Sequence, residues 1–192
     1  RCVAFYNLEN VFDTIHDEGK NDYEYLPDGG MKWTSLKYTN KIQNMAYAIA
    51  QLGTDEDPRG AAIVGVSEVE NIGCLHDLCK ELKEKHNRNY VPILLEGPDR
   101  RGIDVGLLYN PDMFKPVGQP KGYELKAHYA DGGVVRSRLQ LWVSGYMLDD
   151  NRKIVMDKIH ISVNHWPSRS GGEESSRATR DTAAMLVKQV AD

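Results

Sequence analysis

The stretch AAIVGVSEVEN, residues 61–71, decides how this chain is read. It carries no polar side chain before Ser67. A short continuous apolar run of this kind fits a central strand covered on both faces. The run nevertheless ends on Glu68 and Glu70. A carboxylate in a dry interior is costly unless a partner or a metal compensates it. Two-residue alternation puts Glu68 and Glu70 on one face and Ser67 and Val69 on the other. Glu68 either pairs with a cation such as Arg101, caps the following turn, or faces a ligand.

The flanking segments place this strand in a layered domain. VAFYN (3–7) reads as another strand, followed by a polar, acidic stretch from Asp13 to Asp28 that ends in the turn signal PDGG. Tyr38, Ile42, Met45, Ile49 and Leu52 recur at helical spacing and are closed by Gly53. Ile72, Leu75, Leu78, Cys79 and Leu82 mark a second helix to about His86. NYVPILLE (89–96) and IDVGLLYN (103–110) are strands separated by the basic turn GPDRR, and Pro111, Pro116 and Pro120 mark a loop or an edge. VVRSRLQLWVSGYML (134–148) and KIVMDKIHISVN (153–164) read as two strands joined by DDNR. A last helix starts near Glu173, with Ala183, Leu186, Val187 and Val190 on one side. A mixed sheet with helices packed on it, an α/β or α+β layered domain, follows from that order.

Composition narrows the classes. Of 192 residues 41% are apolar and 27% charged, with a net charge of -4. A basic footprint over the whole surface is excluded, so any phosphate or nucleic-acid binding has to come from a local patch. No apolar run approaches bilayer length. The chain has 3 cysteines, Cys2, Cys74 and Cys79, which show no metal-ligand spacing and read as isolated thiols.

Polar residues gather where strands end, which is where open sheets carry their sites. Asn7 and Glu9 close the first strand, Glu68 and Glu70 the central one, and Arg100, Arg101 and Asp104 flank the entry to IDVGLLYN. ISVNHWPSRSGG (161–172) ends a late strand on Asn164, His165 and Arg169. An amide, an imidazole and a guanidinium suit an anionic ligand, and SGG allows a tight turn after them. Asp104 is expected to bind Arg100 or Arg101. Arg136 and Arg138 form a second basic pair, read as a solvated face. Asp149 and Asn151 have a spacing that suggests a metal site, but their place between two strands asks for a turn.

Taken together, YNLEN, GVSEVEN, DRRGIDVGLLYN and VNHWPSRSGG resemble the endonuclease/exonuclease/phosphatase superfamily, of the DNase I-like fold, and in particular its bacterial secreted or uncharacterised branch. The resemblance implies an α/β fold, a four-layered α/β sandwich of the DNase I-like type. It also implies hydrolysis of phosphodiesters or phosphomonoesters with Mg2+, or alternatively Mn2+ or Ca2+, on nucleic acids or phosphorylated small molecules. Glu68 matches the metal-binding glutamate, Asn7 the first-strand asparagine, and His165 the residue that contacts the scissile phosphate. Asn164, Arg101 and Arg169 resemble phosphate-side helpers. The family's later Gly-Asp-x-Asn strand end and terminal Asp-His pair have no counterpart here. Residues 1–192 are therefore expected to be the N-terminal portion of a single domain, incomplete at its C-terminal side and short of the general base. Self-association through an uncovered sheet edge and a secreted or periplasmic origin are further expectations. Phosphate-ligand binding without turnover and a structural or interaction fragment stay open as alternatives.

Overall fold

The computed structural model of the protein describes residues 1–128, 132–169 and 172–192. Strand β2 (Ile63–Val69) shares a sheet with β1 (Val3–Val11), β3 (Val91–Leu94) and β4 (Asp104–Tyr109). Their order is β1-β2-β4-β3, with β1 parallel to β2 and the other pairs antiparallel. This is a mixed sheet with β2 inside it, as an uninterrupted apolar run requires.

Helices α1 (Ser35–Gln51) and α2 (Ile72–His86) cover one face of that sheet. Thr34 caps α1 by accepting from the Lys37 amide, and Asn71 caps α2 by accepting from the Cys74 amide, each satisfying an orphan donor of the first turn. Ile42, Ala46 and Ile49 of α1 and Leu75, Leu78 and Leu82 of α2 pack on Val64, Val66 and Val69. Cys74 and Cys79 are buried free thiols on α2.

A second sheet covers the other face. Its strands are β5 (Phe114–Pro116), β6 (Lys121–Tyr123), β7 (Gln140–Met147) and β8 (Ile159–Val163). Trp142 of β7 pairs with both Lys121 and Ser162, and Gly145 with both Pro116 and Ile159. Strands β5 and β6 therefore share one edge of β7, and β8 takes the other. Ile63, Val105 and Leu107 of the first sheet meet Phe114, Leu141, Val143 and Val163 of the second in a single apolar seam. Helix α3 (Glu173–Ala191) lies on the outer face, where Ala183 packs with Leu125, Ala127 and Val135 and its carbonyl accepts from Gln140 Nε2 at 2.9 Å. Helices, sheet, sheet and helix make the four-layered α/β sandwich.

The prolines at 116 and 120 flank or belong to short edge strands, as expected, where a missing N–H is tolerated. One expectation changes: the two late strands are not joined directly by DDNR. Asp149 does form a turn, accepting from the amides of Asn151 and Lys153 at 2.8 Å. The β7–β8 ladder, however, only begins at the pair Gly145 and Ile159, and the residues before Ile159 contribute one isolated bridge, Leu148 with Ile154. The turn expected at SGG includes Ser170 and Gly171, which lie outside the described residues.

Gly145 permits the close approach of β5 to β7. A Cβ built there would lie 2.3 Å from Phe114 Cζ and 2.5 Å from the Lys115 carbonyl oxygen. The latter is backbone and cannot swing aside. Gly145→Ala is expected to destabilise the fold by about 1–3 kcal/mol through overpacking. A urea midpoint equal to that of the parent protein would show that β5 has no fixed seat on β7.

Candidate active site

Strict alternation breaks at Glu68. Val64, Val66 and Val69 all belong to the helix-side core, whereas an unbroken strand would direct residues 64, 66 and 68 there. The pairing of β2 with β4 shifts register between Ser67 and Val69, and Glu68 has a φ of 62°. One extra residue is thus accommodated as a bulge, a device that re-aims a side chain. On the neighbouring strand Glu9 and Asn10 also have positive φ, 54° and 62°. Non-glycine residues in this region cost roughly 1–3 kcal/mol each and cluster at functional sites. The bulge turns Glu68 away from the helices and toward the second sheet. Glu68 and Glu70 consequently do not share surroundings, which corrects the alternation-based expectation.

Three of the expected residues meet there. Tyr6 and Leu8 of β1 pack with the helix-side core, so Asn7 between them faces the second sheet. Its Nδ2 donates to Glu68 Oε1 at 3.3 Å, and its Oδ1 accepts from the Glu9 amide at 2.8 Å. His165 comes from the opposite sheet, just past β8, and its Nε2 lies 3.4 Å from the same Oε1. The Glu68 and His165 side chains are 18% and 23% exposed, so a small ligand has access to them.

Arg138 completes the cluster. Its Nη2 lies 2.6 Å from His165 Nδ1. A guanidinium only donates, so Nδ1 must offer its lone pair and the single proton of a neutral imidazole sits on Nε2, toward Glu68. Burial lowers the pKa of His165, and the Arg138 and Arg101 charges push the same way. Arg138 is held by Asp99, whose Oδ2 is 3.5 Å from Nη1 and whose Oδ1 accepts from the Arg101 amide at 2.9 Å. Among the described residues the buried Arg138 Nε has no acceptor.

The other expected residues are placed differently. Arg101 stands at the rim, with Nε 3.8 Å from Asp99 Oδ1. Asn164 points away from the cluster, because β8 faces its partner sheet with Ile161 and Val163, and two-residue alternation then sends Ser162 and Asn164 outward and His165 inward. The Asn164 amide donates to Ser162 Oγ at 2.8 Å. Arg169 is exposed and its Nη1 lies 4.0 Å from Glu173, at the start of α3. Asp104 binds neither arginine expected for it. It is buried, accepts from the Gly97 amide at 3.0 Å, and burial pushes its carboxyl up to about 7.

Among the described residues a second group has potential metal ligands, Asp13, Glu70 and Cys74, with one ligand atom of each within 4.8 Å of the others. Glu70 is 3% exposed, accepts from the Asp13 amide at 2.7 Å, and is pushed up to about 8 by burial. Burial pushes the Cys74 thiol up to about 12. A carboxyl that keeps its proton at neutral pH beside an un-ionised thiol is a poor host for Mg2+ or Ca2+, which select charged or carbonyl oxygens. The Glu68 carboxylate, by contrast, is partly open to solvent.

The comparisons with known proteins agree with this architecture. A family model for the endonuclease/exonuclease/phosphatase family matches residues 2–192. The chain belongs to that family. Among solved structures, a conserved protein of unknown function from Enterococcus faecalis superposes with a TM-score of 0.52 at 12% identity, covering 99% of this chain and 60% of that one. A mannosyl-6-phosphatase from Bacteroides thetaiotaomicron superposes with a TM-score of 0.53 at 16% identity, covering 98% of this chain and 58% of that one. The chain therefore spans about 60% of the length of solved structures that share its fold. No curated protein is significantly similar to it in sequence. No described helix is long and apolar enough to cross a membrane.

The burial of Glu70 has a measurable consequence. The Glu70 pKa in the fold, about 8, stands above the usual carboxyl value of 4.5, so the folded protein binds an extra proton between those values. Its contribution to stability is complete below about pH 4.5 and is lost as pH rises through about 8. Thermal midpoints should fall from pH 5 to pH 9, and Glu70→Gln should flatten a substantial part of that fall. A variant whose pH profile runs parallel to the parent's would place the lost proton elsewhere.

Proposed function

We propose that this chain is the N-terminal portion of a divalent-cation-dependent phosphoesterase and contributes the half of the active site that holds the phosphoryl group. The observation that carries the reading is the meeting of Glu68 and His165, 3.4 Å apart, from the tips of β2 and β8 in two facing sheets.

In this reading Glu68 supplies the oxygen ligand for Mg2+, with Mn2+ or Ca2+ as alternatives. Such a cation would neutralise phosphoryl oxygens and the charge that develops on the leaving oxygen. Asn7 fixes the Glu68 carboxylate through its amide. His165 presents its Nε2–H to a phosphoryl oxygen, acting as a donor to charge that grows in the transition state. Arg138 keeps that proton on Nε2 and brings a positive charge beside the phosphate, a part that the sequence reading assigned to Arg101 and Arg169. With Nδ1 engaged by Arg138, His165 is not the base that activates water. That base belongs to the remainder of the domain. Nucleic acids and phosphorylated small molecules are both within the substrate class, and a sugar phosphate is one to test.

The experiment uses the intact protein with 4-nitrophenyl phosphate and bis(4-nitrophenyl) phosphate. EDTA should abolish turnover and Mg2+ restore it, and Glu68→Gln should lower kcat/KM by about 100-fold or more, the scale of losing one preorganised charge stabiliser. Turnover that is indifferent to EDTA and to Glu68→Gln defeats the reading. A second reading, phosphate binding without turnover, is favoured by the same Arg138 contact, which leaves His165 a pure donor. It predicts a phosphate-dependent rise in thermal midpoint, with no product from either ester.

A further inference from the structure

Most arginines of this protein are already engaged. Arg1, Arg59, Arg101, Arg138, Arg152, Arg169 and Arg177 have carboxylate partners, and Arg88 and Arg180 donate to carbonyl oxygens. Among the described residues the guanidiniums of Arg100 and Arg136 have no hydrogen-bond or ion-pair partner, and both line one open cleft of about 480 Å³.

That cleft has a third cation. The Lys20 ammonium, fixed by the carbonyl oxygens of Gly97 at 3.1 Å and Asp99 at 3.4 Å, contributes to its wall. Carbonyl groups hold an ammonium without cancelling its charge. Lys20, Arg100 and Arg136 come from three separate segments: the acidic loop after β1, the β3–β4 turn, and the approach to β7. The carboxylate in the lining is Asp99, which is already shared by Arg138 and Arg101. Asp17 and Asp104 feel Lys20 at longer range, and the Asp104 carboxyl, near neutrality in its titration, brings only part of a charge at pH 7.

Asp99 also links the cleft to the phosphoryl site. It forms a wall of the cleft and, through Arg138, backs His165 and Glu68. We propose that Lys20, Arg100 and Arg136 form a second anion subsite, which takes a further phosphate of the substrate whose scissile phosphoryl group lies at Glu68 and His165. The inference rests on the phosphoesterase reading of that site. The substrate class it names is a phosphate ester with at least one additional phosphate, either the next phosphate of a polynucleotide or the second phosphate of a small molecule. Guanidinium forks without partners suit such a group, because bidentate charge-assisted hydrogen bonds are available at once and no ion pair has to be broken first.

The test compares the intact protein with the double variant Arg100→Gln, Arg136→Gln at low ionic strength. Neither side chain has a structural partner among the described residues, so the fold should be retained, as circular dichroism and thermal midpoint would verify. Substrates are a sugar monophosphate, a sugar bisphosphate and a short single-stranded oligonucleotide. The expected result is a KM raised about 10-fold or more for the bisphosphate, the oligonucleotide or both, with kcat and the monophosphate KM within about 2-fold. The substrate that responds identifies the source of the second phosphate. An equal rise for the monophosphate, or no rise for any substrate, overturns the subsite. Calorimetric titration with inorganic phosphate separates this outcome from failure of the catalytic reading. If no ester is turned over, the parent should still bind one more phosphate than the double variant, and equal stoichiometry removes the subsite on its own.

Discussion

The extra residue in β2 at Glu68 is the constraint from which the site follows. Without it, residue 68 would point into the packed layer under α1 and α2, where Val64, Val66 and Val69 already fill the space. An ionised carboxylate there would carry the full desolvation cost of burial. With it, Val69 returns to the apolar phase and Glu68 is freed toward the facing sheet. The cost is backbone strain, with positive φ at Glu68, Glu9 and Asn10. Such strain persists only where surrounding structure enforces it. Here a parallel partner on one side and an antiparallel partner on the other hold the strand on both sides of the bulge.

Much of the fold was legible because burial leaves a periodic signature. The apolar run of β2 and the helical stripes of α1 and α2 each correspond to a local physical rule. Asn7, Glu68 and His165 were legible for a related reason, since polar residues at the ends of apolar strands have no role in the core. The bulge was not legible. Alternation through SEVE predicted a common face for Glu68 and Glu70, and nothing local announces an inserted residue among non-glycine side chains. Asn164 follows from alternation rather than from its place beside His165: a strand with Val163 turned inward sends Asn164 outward, onto Ser162. Arg138 was set aside as surface charge because its partner, Asp99, lies in a distant turn. Arg169 drew notice by proximity to His165 in sequence, yet its charge meets Glu173 at the next helix.

Asp99 emerges as the hinge of the charge arrangement, although nothing in its sequence context distinguishes it. Being 6% exposed, it would be costly as an isolated anion. Arg138, the Arg101 amide and the Arg101 guanidinium compensate it. That compensation in turn fixes Arg138 against His165 Nδ1, and the imidazole proton is directed to Glu68 as a consequence. A buried carboxylate in one turn thereby determines which nitrogen of a histidine, on another sheet, faces Glu68. The order of dependence runs from backbone turn to aspartate, to arginine, to imidazole.

The remaining carboxylates near the bulge complete this logic. Glu70 follows Glu68 by two residues and Asp104 is paired in register with Val69 on the adjacent strand. Ionised together with Glu68 and Asp99, they would surround the site with negative charge and repel a phosphate. Burial instead pushes Glu70 up to about 8 and Asp104 up to about 7, so much of that charge is absent at neutral pH. Arg138, against His165, and Arg101, at the rim on Asp99, bring positive charge to the side of Glu68. Acidic residues dominate the composition, but the local balance at the strand tips favours an anion. The overall charge of -4 is thus a property of the surface and not of the site.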